Sequence, residues 1–523
     1  VPPLTNERVQ TASLGHLQAV VAIDSQSDEH ATAIPSSEGQ RVLALLVAEH
    51  FAVCGATVEM DPHANVIASL PGRGAGVGAP PVALLVHLDT ARGTANPTHL
   101  QLTRSWDGQR VPYAANPTID VSVANYPGLR EFLAQDIVHG EGINPFGLDD
   151  KLGLTHLMTL AEVLAADPTI DHPPILFIGR PDEEIGRMAA VEGLADLLAA
   201  RGVRSGYTID GILPYEVNVA NFNGAHATVS WEGAALDPAR LAEYARGFAL
   251  TFGGVNTHGA TAHDEGHRAA IRLAAEFAAA AKSLVIPVAF DSDRMRDCDG
   301  QLSVRIAPSM APGLIEALLA RVVGPHIRRG ASFSLRPLTA LEVAALPTHD
   351  GVSRMLSAVL AFTAEGTASA PRWAEDSHGW LGYSHPYRAR TTPHGVDLDV
   401  RIRDFDAERL ESRKADVRAG FAAEGVRVTD HDQYINMGPR MGDRRDLVEL
   451  ALAAGKDVGV AVRELPIRGG TGVDPFLERG TAIANLGTGY FAPESEKELT
   501  SLQLMVGHVR WLEALMRRLA QLR

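Results

Sequence analysis

Residues 81–87 read PVALLVH and run directly into Leu88-Asp89-Thr90. Seven residues without a charge until the final histidine are the mark of a strand buried on both faces. Working outward, 174–179 (PILFIG) repeats the pattern, and 205–210 forms a third strand ending in Asp210. Helical spacing fills the intervals at 40–54, 152–165 and 191–200. Strands alternating with helices predict an α/β layer with a largely parallel sheet. In such sheets ligands bind beyond the carboxyl ends of the strands. His87, the acids after 179 and Asp210 all fall there.

The flanking segments add short strands at 57–60 and 65–70. The glycines at 72, 74, 76 and 78 precede a strand and open no helix, so they predict a turn and not a phosphate cradle. From about 216 to 437 the order changes to strand–helix–strand groups. Within it, 302–307 (LSVRIA) and 398–403 (LDVRIR) echo each other, each followed by a helix and a strand. From about 439 the α/β character returns, ending in an amphipathic helix at 502–522. The expected domains are therefore 1–215, an inserted 216–437, and 438–523.

The 523 residues are 46% hydrophobic and 21% charged, enough to bury a full core. A net charge of −16 makes the chain a poor partner for nucleic acid or an anionic membrane. Two cysteines, Cys54 and Cys298, exclude a disulfide scaffold and a cysteine-rich metal site. No apolar run is long enough to span a bilayer and no basic-then-apolar leader opens the sequence. A soluble, cytoplasmic protein is expected.

The chemistry lies in four short motifs. His87-Leu88-Asp89 places two polar side chains on one side of an extended strand, a metal-ligand type beside a carboxylate. Gly147-Leu148-Asp149-Asp150 opens a helix, and one carboxylate there has two oxygens to share between cations. Asp182-Glu183-Glu184 sets three acids together at a strand end, which is costly unless a cation or proton neutralises them. Asp210 supplies a further carboxylate. Together they form the layout of a two-metal hydrolase.

With these motifs stand THGATAH (257–263), VRIRDFD (400–406), YINM (434–437) and PIRGGT (466–471). In this order they resemble the peptidase T-type tripeptidases, within the co-catalytic zinc peptidase superfamily of aminoacylases and carnosinase-like dipeptidases. The resemblance implies a mostly parallel-sheet α/β catalytic domain with an inserted α+β lid, here enlarged and with signs of internal duplication. It implies two divalent metal ions, zinc, with manganese or cobalt as alternatives. His87, Asp149 and Asp210 would hold one, and Asp149 and Glu184 the second. Asp89 would orient His87. Glu183 would act as general base on a water activated between the cations, and His258 would stabilise the oxyanion. Arg403 and Arg468 would grip the substrate's terminal carboxylate, which a guanidinium fork fits bidentately. The implied substrates are di- and tripeptides, with N-acyl amino acids as the alternative. A catalytically lost peptide-binding relative is the rival reading.

The chain departs from that pattern in three places. The family's last histidine ligand is missing from 489–498 (GYFAPESEKE). A carboxylate from Glu494 or Glu496 is expected instead, with Glu496 assigned, or an emptier second site if Lys497 falls at the ligand position. The acid that usually follows GGT is replaced by Gly472, with Asp474 displaced. The lid is about twice the usual size. Its two halves are expected to pair with each other as two subunits would, which favours a monomer over a homodimer. His508, in the terminal helix, is expected to be structural.

Overall fold

The computed structural model describes residues 4–255, 261, 265–293, 295–296, 298–364, 376–377, 380–442 and 444–522. The chain divides into two units. The first comprises Val1–Pro117, Val121–Asn221 and Asn436–Arg523, and the second Thr118–Asp120 and Phe222–Ile435.

The first unit is built on an eight-stranded mixed sheet. Its centre is four parallel strands in the order Ile175–Arg180, Val82–His87, Ser205–Gly211, Ala482–Gly487. Every residue of Val82–His87, Ile175–Arg180 and Ala482–Gly487 is buried, which is why these segments read as unbroken apolar runs. Antiparallel neighbours flank the centre, Val66–Leu70 beside Ile175–Arg180 and Glu216–Asn218 beside Ala482–Gly487. The helices Asn6–Val21, Leu148–Ala166 and Leu502–Leu519 pack against one another. The glycine-rich loop forms a single 3-10 turn, Gly74–Gly78.

A second, antiparallel sheet joins Gln101–Thr103, Ile137–His139, Leu499–Ser501 and Tyr490–Phe491. Strands of two or three residues are too short for periodicity to reveal, so sequence reading misses this sheet. Its last two strands form a hairpin whose connection carries Glu494, Glu496 and Glu498.

The second unit is an eight-stranded antiparallel sheet with helices, and its element order occurs twice. One half runs Arg246–Gly253, Ala270–Ala281, Val285–Asp291, Gly300–Ile306, Pro312–Val323, Ser332–Pro337. The other runs Asn223–Glu232, Gly351–Phe362, Tyr383–Thr392, Gly395–Asp404, Ala407–Gly420, Val426–Tyr434. Across the sheet, the strands of each half lie fourth–first–third–second, and the second half mirrors that order. The halves meet where Asp291 pairs with Arg390, and helix Ala270–Ala281 packs on helix Gly351–Phe362. The echo 302–307 and 398–403 is the third strand of each half. Period-2 alternation puts Val396, Leu398, Val400 and Ile402 into the core, with Asp397, Asp399 and Arg401 on the other face.

Candidate metal centre

The centre is assembled at the carboxyl ends of the four parallel strands. His87 ends the second of them and is buried. Its Nδ1 makes a 2.9 Å hydrogen bond to the backbone oxygen of Asp89, so that nitrogen carries the proton. Nε2 is left to face Asp149 Oδ1 at 3.0 Å and Asp210 Oδ1 at 3.5 Å. Burial alone would push the imidazole pKa down, but the Asp210, Asp149 and Asp89 carboxylates outweigh it and hold it well above its ordinary value.

Asp89 does more than orient His87. Its carboxylate lies 3.4 Å from Nδ1, and it also accepts the backbone N–H of Glu183 at 2.9 Å and of Glu184 at 3.0 Å. One buried side chain thus ties the ends of two neighbouring strands. The third acid of that run, Asp182, turns away. It accepts from the Ser36 backbone, at 3.0 Å, and from Gln40 Nε2, at 2.8 Å. The three adjacent acids therefore divide their work between a pin, Asp182, and two groups left for the site.

Asp149 belongs to two clusters. His87, Asp149 and Asp210 form one, and Asp149, Glu184 and Glu494 the other; within each, the candidate ligand atoms lie within 4.8 Å of one another. Tyr490 donates its hydroxyl to Asp149 Oδ2 at 3.1 Å. Glu184 Oε1 is buried and has no hydrogen-bond partner. An orphaned carboxylate oxygen is expensive unless a cation meets it, so the residues present fit a pair of divalent ions. Burial, joined by the neighbouring carboxylates, drives the Glu184 pKa well up and lifts Asp210 to about 7. A bound cation would reverse that pressure.

The position of the last ligand corrects the sequence assignment. Glu496 is not in either cluster; it is buried, with Oε1 3.3 Å from the Nζ of Lys497. Glu494 stands there instead. It adopts a left-handed backbone, φ +55°, uncommon for a residue with a side chain. Its N–H donates to Glu498 Oε1 at 3.0 Å. The other oxygen of Glu498 accepts from the backbone N–H of Phe146 at 2.8 Å, Gly147 at 2.9 Å and Leu148 at 3.4 Å. Glu498 is therefore a buried strut between the loop that presents Asp149 and the loop that presents Glu494. Despite these donors, burial raises its pKa to about 8.

Glu183 sits beside Arg180, whose Nη2 is 3.6 Å from Glu183 Oε1. Burial raises the pKa of Glu183, and the guanidinium opposes the rise. Arg180 also donates to the backbone oxygens of Thr471 at 3.0 Å and Gly472 at 3.3 Å. Here the second departure acquires a physical reason. Gly472 has φ +57°, and a Cβ there would fall 2.5 Å from Arg180 Nη1 and 2.7 Å from Glu183 Oε1. A side chain there would be strained by the left-handed backbone and would require Arg180 or Glu183 to shift. Asp474 pairs with Arg440. Arg468 is half-buried in the same loop.

Arg403 belongs to the second unit, where its Nη1 donates to the backbone oxygens of Ala225 and Ile402 and its guanidinium lies over the Tyr434 ring, 5.0 Å from the centroid. His258 lies outside the described residues. His508 is buried, with Nδ1 on the Leu504 carbonyl and its ring stacked between those of His156 and Tyr215. Sequence reading passes over Arg180, Tyr490 and Glu498. Only Arg180 leaves a sequence signal, a charged residue closing an otherwise apolar strand.

Peptidase T from Bacillus cereus is 26% identical to the chain over 507 residues, covering 95% of the chain and 96% of that protein. The chain is similar to peptidase T over almost its whole length. Solved structures agree on the fold of the chain. A tripeptidase from Staphylococcus aureus matches with a TM-score of 0.53 at 14% identity, covering 98% of the chain and 99% of its own length. Human carnosine dipeptidase 1 matches with a TM-score of 0.52 at 14% identity, over 99% and 98%. No protein-family profile matches the chain. Among the described residues, no helix is long and apolar enough to cross a membrane.

Proposed function

We propose that the chain is a metal-dependent exopeptidase that hydrolyses short peptides, di- and tripeptides among them. The observation that carries the reading is the pair of ligand clusters sharing Asp149, with Glu183 alongside. His87, Asp149 and Asp210 would hold one divalent ion and Asp149, Glu184 and Glu494 the other. When bound, the ions supply Lewis-acid polarisation of the scissile carbonyl and an activated water nucleophile.

The protein's own groups do the rest. The Asp89 carbonyl keeps the proton on His87 Nδ1 and the lone pair on Nε2. Glu183 takes a proton on its carboxylate from the attacking water and returns it to the leaving amine nitrogen as the C–N bond breaks. Burial raises its basicity toward that task, and the Arg180 guanidinium opposes the rise. Arg468 is assigned to the substrate carboxylate; the resemblance to the peptidase T-type tripeptidases gives Arg403 the same role and His258 the developing oxyanion.

The test is amine release by purified protein, stripped of metal and reloaded, from matched dipeptides, tripeptides and N-acyl amino acids. Metal-dependent cleavage of peptides with a free amino terminus is the expected result. Cleavage of N-acyl amino acids alone would make the protein an amidohydrolase, and metal binding without any turnover would make it a binding relative.

A further inference from the structure

We propose that the two metal positions are chemically unlike, the first suited to zinc and the second to a harder divalent cation such as Mn²⁺. The proposal rests on the two-metal reading above and goes further by assigning a different ion class to each position. At the first, His87 offers an imidazole nitrogen beside Asp149 and Asp210. At the second, all the donors are carboxylates, from Asp149, Glu184 and Glu494, and no histidine or cysteine joins that cluster among the described residues. Imidazole suits zinc, whereas an all-oxygen shell suits manganese or magnesium.

The oxygen shell is built in. Glu494 is set in place by the hydrogen bond of its N–H to Glu498, whose other oxygen grips the loop before Asp149. Glu184 brings a buried oxygen with no protein partner. The hydroxyl of Tyr490 sits on Asp149 Oδ2, orienting the shared carboxylate. Three carboxylates also place more negative charge at the second position than the two carboxylates and neutral imidazole do at the first. A cation that tolerates a larger oxygen coordination number meets that demand best.

Native mass spectrometry of the full chain tests the assignment without relying on activity. Metal-free protein is given one equivalent of Zn²⁺ and an excess of Mn²⁺. The expected dominant species carries one zinc and one manganese. A mixture of two-zinc and two-manganese chains would overturn the proposal. With two equivalents of Zn²⁺ in the same excess of Mn²⁺, wild type should keep one of each, whereas Glu494→His should hold two zincs; identical loading of the two would also overturn it. If Glu494→His does not fold, the Mn²⁺ electron paramagnetic resonance signal of the zinc-plus-manganese wild type decides. The isolated signal of one manganese per chain supports the proposal, and the coupled signal of a manganese pair sinks it. Failure to bind two ions under any loading would remove the two-metal reading itself.

Discussion

Glu183 and Glu184 are neighbours in sequence with separate tasks, and Asp89 is what separates them. Their backbone N–H groups are pinned to its two oxygens, which leaves one side chain beside Arg180 and the other in the ligand cluster. Glu183→Gln should therefore retain metal and fold while losing roughly 10²–10⁴-fold in turnover, the usual weight of a general base; parallel metal analysis and steady-state kinetics check this. A different residue pair contributes to acid sensitivity. His156 and His508 are buried, with pKa values lowered to about 4 and about 3 by burial. A histidine kept neutral in the fold takes up its proton on unfolding. The stability it contributes is complete above about pH 6.5 and is lost as pH falls toward the folded values. The raised carboxylates of the metal-free site act in the opposite direction over the same range, so the histidine contribution is read from the difference between wild type and His156→Leu in thermal melts from pH 6.5 to 4, the variant losing less stability toward acid. Much of the first cluster is legible because His87, Asp149 and Asp210 sit at strand and helix ends that apolar runs reveal. Glu494 is legible only as one of two candidates beside Glu496, because a hairpin connection has no period to rank them. Only Glu498's grip distinguishes them.

At the scale of elements, the centre depends on loops that strands merely deliver. Glu498 joins the loop before helix Leu148–Ala166 to the hairpin connection, and a glutamine there would set amide hydrogens against backbone N–H donors. Glu498→Gln should weaken metal binding by about 10–100-fold, the range for partners that orient ligands, whereas Glu496→Gln should leave it unchanged; calorimetric titration of both variants checks the pair. Gly472 is the corresponding control on the other side of the site. Any side chain there meets Arg180 and Glu183 from a left-handed backbone, so Gly472→Ala should lower kcat/KM by roughly 10²-fold, as small displacements of catalytic groups do. The long strands and helices were readable from periodicity, with ends displaced by a few residues. The sheet of two- and three-residue strands was not, because its pairing is made by partners far apart in sequence.

At the scale of the molecule, the second unit completes an eight-stranded sheet from one chain. The join at Asp291 and Arg390 covers one of the two edge strands of each half, the edges at which two separate subunits would otherwise pair, and leaves Ser332–Pro337 and Val426–Tyr434 as the outer edges. The protein should therefore be a monomer at micromolar concentration, a point that light scattering decides. The weak VRI echo pointed to this duplication, yet nothing in it indicated that one half is nested inside the other. That nesting matters before the protein is ever finished. Among the described residues, strand Asn223–Glu232 pairs with Gly395–Asp404 and Val426–Tyr434 alone, and the whole inner half is synthesised in between. At roughly 5–20 residues per second, on the order of ten seconds or more separates the emergence of that strand from the ribosome and the arrival of its partners. The inner half can fold on schedule while the outer half waits with an unpaired strand, so the nascent chain spends that interval as a target for chaperones and for strand exchange with its neighbours on the same message.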